Sequence, residues 1–134
     1  MIKTLFFLIL FFSTTFAKEF SIATYNVENF FDLKHDKSEY KEYIPYKYSK
    51  WNRQTFNTKL KNILKVINDL NKDIIVLQEI ESQNAFTFLE KNLPKYKFSS
   101  FRKYKNSSVG LAILSTFKIE ENRLLHIKHS KVNR

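Results

Sequence analysis

The chain has 134 residues, no cysteine, a single glycine and a formal net charge of +10 from 23 basic and 13 acidic side chains. That length excludes more than one ordinary domain, and the lack of cysteine excludes a disulfide framework and any thiolate zinc site. The excess of Lys and Arg fits a polyanionic partner through counterion release, although Lys-rich faces are commonly plain solvated surface.

Residues 1–17 read as a signal peptide. Lys3 supplies the positive start, Leu5 to Phe12 is an unbroken apolar run, and Thr15 and Ala17 are small residues where a signal peptidase cuts. The run is too short to span a bilayer and meets Lys18 and Glu19 at once. This predicts a cleaved, exported chain, periplasmic or secreted, with no stable membrane association. The mature chain is then residues 18–134.

A first strand is predicted over residues 20–26, ending on polar Asn26. From Glu28 to Lys50 aromatic and charged residues alternate around Pro45, which predicts a long surface loop. Trp51 to Leu70 carries Phe56, Leu60, Ile63, Leu64, Ile67 and Leu70 at the three-and-four spacing of an amphipathic helix, with Ser49 as its N-cap. Asp73 opens a second strand whose Ile74-Ile75-Val76-Leu77 is apolar on both faces, as for a central strand covered on each side. Strand, helix and strand make a βαβ unit with parallel strands. Asn26 and Glu79 then emerge at the same end of the sheet, close enough to share one ion. Ser82 to Leu93 reads as a shorter helix stopped by Pro94. Tyr96 to Phe101 and Val109 to Leu114 read as strands around a polar turn at 105–108, and Leu124 to Ile127 as the start of another.

The chemistry concentrates on oxygen donors. Mg²⁺ and Mn²⁺ take oxygen ligands, and Mg²⁺ keeps several waters while using one or two carboxylates, a preference that a Glu carboxylate beside an Asn carbonyl satisfies. His35, His126 and His129 form no zinc constellation. On physics alone, a polar residue closing a buried strand is often only the point where the sheet meets solvent.

Thr24-Tyr25-Asn26-Val27-Glu28-Asn29-Phe30-Phe31-Asp32 and Leu77-Gln78-Glu79-Ile80 resemble the first two signature motifs of the endonuclease/exonuclease/phosphatase family, the deoxyribonuclease I-like fold. Val109 to Ser115 resembles a later strand of its secreted bacterial members, and Gly110 within it predicts a bulge or a close backbone approach. The resemblance runs from Phe20 onward. It implies an α+β fold, the N-terminal half of a four-layer α/β/β/α sandwich. It implies an exported, Mg²⁺- or Mn²⁺-dependent phosphodiesterase, with nucleic acid (DNA or RNA) as substrate and endonuclease action foremost. It makes Asn26 and Glu79 the metal-binding and catalytic residues. Arg102, Tyr104 and Lys105 are candidates for holding the scissile phosphate, and Glu28 and Asp32 for orienting groups around the ion, Asp32 equally well as a turn residue.

The Gly-Asp-x-Asn and Ser-Asp-His motifs of the family do not occur in the chain. A two-sheet sandwich needs roughly 200–250 residues. Residues 18–134 are therefore expected to be a truncated domain, inactive alone. The alternatives are a catalytically dead remnant, a split-protein partner completed by a C-terminal half, or a phosphatase or lipid phosphodiesterase of the same family.

Overall fold

The computed structural model describes residues 19–47 and 49–123. The expected signal peptide, the strand expected at 124–127, His126 and His129 lie outside them. No helix among the described residues is long and apolar enough to cross a membrane.

Helix α1 spans Arg53–Leu70 and α2 spans Gln83–Glu90. Strands β1 (Ile22–Phe30), β2 (Ile74–Ile80), β3 (Phe98–Arg102) and β4 (Gly110–Ser115) form one sheet in the order β1-β2-β4-β3. β1 and β2 run parallel, as the βαβ pattern requires, while β4 is antiparallel to both β2 and β3. The chain is thus α+β, with a four-stranded mixed sheet.

Both helices cover one face. Ile63 and Ile67 of α1 and Ala85, Phe86 and Leu89 of α2 join Ile75, Leu77, Ala112 and Leu114 of the sheet in one core. The period-2 alternation of strands sends Ile22, Ile74, Val76, Leu111 and Ile113 to the other face. There Ile22 is 58 % and Leu111 55 % exposed. β2 is central by its neighbours, but among the described residues only one of its faces is covered, contrary to the two-sided cover expected.

Three sequence expectations change. Asn52, not Ser49, caps α1: its side chain accepts from the Gln54 and Thr55 N–H groups while Thr55 Oγ1 accepts from the Asn52 N–H. Ser49 instead receives the Trp51 N–H and donates to the Ile44 carbonyl. β1 does not stop at Asn26 but resumes to Phe30 across an irregularity. Finally, the segment from Glu28 to Lys50 is no mere surface loop, because Phe30 and Phe31 are fully buried. Phe31 stacks on Tyr43, Tyr43 meets Trp51 edge-on, and Trp51 meets Phe56. The Trp51 indole N–H also donates to the Asp32 carbonyl over 3.0 Å. Aromatic area supplies a core here without helical or strand periodicity.

At the far end of the sheet Asp73 clasps β1 to β2. Its Oδ2 accepts from the N–H and hydroxyl of Ser21, and its carbonyl accepts from the Thr116 N–H. This leaves the opposite end, where β1 and β2 finish, to carry the site.

Candidate functional site

Parallel pairing sets Asn26 opposite Gln78, and the pairing resumes at Phe30 opposite Ile80. Val27, Glu28 and Asn29 therefore face Glu79 alone. The mismatch is taken up by left-handed backbone at Glu28 (φ 53°), Asn29 (φ 66°) and Glu79 (φ 65°). Three non-glycine residues in that region, side by side at two strand ends, are a local strain of the kind that gathers at functional sites.

The result brings the two expected residues into contact. Asn26 Nδ2 donates to Glu79 Oε1 over 2.7 Å, and Asn26 Oδ1 accepts the Glu28 N–H over 2.8 Å. Glu28 thus orients Asn26 through its backbone, and Lys59 of α1 donates to the Glu28 carbonyl over 3.1 Å. Tyr43 approaches from the loop. Burial chiefly raises its phenol pKa, with the Glu42 charge adding, a hydrogen bond to the Asn29 side chain opposing, and Glu28 and Glu79 adding further. Neither Lys59 nor Tyr43 stood out in the sequence: one is a helix lysine among many, the other a loop tyrosine.

Glycine should relieve the strain at Glu79. Glu79→Gly and Glu79→Ala both delete the carboxylate, yet the glycine chain is expected to be the more stable by about 1 kcal/mol. Urea unfolding of the pair checks this; coincident midpoints would mean the backbone stores no strain.

Asp32 is 4 % exposed and makes the contacts of the turn residue considered above. Its Oδ1 accepts the Lys34 N–H over 2.7 Å, the turn role, and its Oδ2 accepts from the Asn84 amide and, over 3.4 Å, from the Ser82 hydroxyl. It fastens the loop after β1 to the N-terminus of α2, where Ser82 caps the helix through the Ala85 N–H. Beside it, Glu81 is 3 % exposed and accepts the Asp32 N–H. Burial raises the Glu81 pKa, helped by the Asp32 charge and opposed by hydrogen bonds from Ser82 and the Asp32 backbone and by Lys103.

A cleft of about 230 Å³ opens beside Glu79, lined by Gln78, Arg102, Lys103, Tyr104, Val109, Gly110 and Leu111. Of the three phosphate candidates, Arg102 and Tyr104 line it and Lys105 does not. Lys105 stands exposed in the turn between β3 and β4. Arg102 spends one guanidinium N–H on the Asn122 carbonyl over 3.0 Å. Gly110 acts through close approach: a Cβ there would lie 2.3 Å from the Arg102 carbonyl oxygen.

No group of three or more His, Cys, Asp or Glu among the described residues is arranged to hold a metal ion. The donors present are the Glu79 carboxylate, the Asn26 carbonyl and the nearby Glu28. That is an oxygen set which suits a hard, largely hydrated cation rather than zinc. His35, the histidine of the described part, pairs with Glu39 over 3.0 Å and does not line the cleft.

A family model described as endonuclease/exonuclease/phosphatase family matches residues 21–121. No curated protein and no solved structure matches the chain.

Proposed function

The chain belongs to the endonuclease/exonuclease/phosphatase family, and we propose that it carries the metal-binding part of an exported, divalent-metal-dependent phosphodiesterase that cuts nucleic acid. Membership suggests a hydrolase acting on phosphoester bonds, in a family generally dependent on divalent metal. The single observation that carries the finer reading is the Asn26–Glu79 contact, with Glu79 lining a cleft together with Arg102, Lys103 and Tyr104. An acidic oxygen donor and cationic groups lining one cleft suit a phosphodiester bridged to a metal ion. The apolar stretch from Leu5 to Phe12 supports export, and the +10 charge favours nucleic acid over a small monoester.

In this reading Glu79 and the Asn26 carbonyl hold Mg²⁺ or Mn²⁺, which when bound stabilises charge on the phosphate. Glu28 fixes the Asn26 amide plane through its N–H. The basic wall orients the phosphate for attack by water. Among the described residues no His–Asp pair lines the cleft. The apolar sheet face bearing Ile22 and Leu111 is where a second sheet would complete an α/β/β/α sandwich.

Two measurements separate site from substrate. Mn²⁺ binding followed by electron paramagnetic resonance is expected to weaken at least about tenfold in Glu79→Gln, a loss of about 1.4 kcal/mol; equal binding by both chains would remove the metal assignment. In a chain completed by a C-terminal half, incubation with supercoiled plasmid is expected to give Mg²⁺-dependent nicking that EDTA stops. Turnover of an inositol phosphate with intact plasmid would instead move the chain to the monoesterase side of the family.

A further inference from the structure

Lys103 is the wall of the cleft that the sequence left unremarked, set between two residues singled out there. Its side chain is 20 % exposed, and the residue lines the cleft beside Glu79. Its ammonium stands 4.0 Å from Glu81 Oε1, whose side chain is 4 % exposed. Among the described residues that ammonium makes no hydrogen bond. An ammonium has three N–H donors and no acceptor, so this one keeps its donors for a ligand while a carboxylate behind it supplies attraction. Arg102 differs, because its guanidinium already serves the Asn122 carbonyl.

The carboxylate behind Lys103 is itself fixed. Glu81 Oε2 accepts the Asp32 N–H, the Glu81 N–H donates to the Phe30 carbonyl over 2.9 Å, and Asp32 is tied to Ser82 and Asn84. Glu81 therefore cannot follow a mobile lysine; the lysine must come to it. The ends of β1, β2 and β3 converge on that one point, with the Glu79 carboxylate two residues away along β2.

We infer that Lys103 contacts a substrate phosphate in the Glu79 cleft and that the buried Glu81 carboxylate is the positioning residue that holds it there. This rests on the nucleic-acid reading above. A cation that contacts phosphate contributes one released counterion to binding, whereas one that merely neutralises Glu81 contributes none.

The test is the affinity of the full chain for a labelled DNA duplex, by fluorescence anisotropy, across about 50 to 200 mM salt. Lys103→Ala is expected to weaken binding about 5–10-fold and to shrink the slope of log affinity against log salt by about 0.9, while Lys103→Arg keeps the slope. Glu81→Gln makes the cleft more positive, so a purely electrostatic role predicts tighter binding; positioning predicts weaker binding with the slope kept. Lys103→Gln replaces the alanine variant should the latter lose its native circular dichroism. An unchanged slope without the Lys103 charge, or tighter binding by Glu81→Gln, overturns the inference. If the wild-type chain binds Mn²⁺ but no duplex, the nucleic-acid reading itself falls, and this inference with it.

Discussion

Phe56→Ala should remove about 3–5 kcal/mol of stability, a large part of the roughly 5–15 kcal/mol that holds an ordinary domain together. Phe56 is 2 % exposed and is the junction of the aromatic core. Its ring stacks on Phe30 at 5.4 Å and meets Phe88 edge-on at 5.0 Å and Trp51 at 6.2 Å. Truncation opens a cavity that rigid rings close poorly, and it forfeits three ring contacts, each worth about 0.5–1.5 kcal/mol beyond buried area. It also uncouples β1, α1 and α2, which the four rings join. Phe88, only half-buried, should cost less when truncated. Urea unfolding followed by circular dichroism measures both; a loss below about 1 kcal/mol for Phe56→Ala would show that the loop aromatics do not form a cooperative core.

Gly110→Ala should cost about 1–3 kcal/mol and impair the cleft as well. The added Cβ would lie 2.3 Å from the Arg102 carbonyl oxygen, 2.8 Å from Lys103 Cβ and 3.0 Å from Lys103 Cα. The first and last of these are backbone atoms, so no side-chain rotation relieves the clash. The end of β3 has to move off β4, and Arg102 and Lys103 move with it. Stability and duplex affinity should therefore fall together. Stability lost with affinity intact would place the displacement away from the cleft, and neither lost would mean that the strand ends are slack.

Much of the fold was legible because its signals are local. The three-and-four spacing from Phe56 to Leu70 and the apolar run at 74–77 set α1 and β2, and their order set the parallel pairing of β1 with β2. Gly110 was legible as the only glycine in the chain. The α1 cap was misread because Ser49 and Asn52 are both competent cap residues, and the choice depends on which hydroxyl or amide reaches the first turn. The loop from Glu28 to Lys50 was misread because its rings are buried by each other and by Trp51, contacts that no periodicity announces. Asp32 looked equally suited to orienting an ion or making a turn; burial against Asn84 and Ser82 gives it the turn and a tether to α2.

The family and the placing of Asn26 and Glu79 at the same end of neighbouring strands could be taken from the chain alone, since a motif is a run of neighbours and a βαβ unit leaves little freedom in where two strand ends lie. The contact between Asn26 and Glu79, the left-handed backbone that makes it, and the pairing of Lys103 with a buried Glu81 could not. Each depends on side chains or backbone conformations brought together across some 20 to 50 positions of sequence, and a lysine in a basic stretch looks the same whether it faces water or a carboxylate sealed in the core.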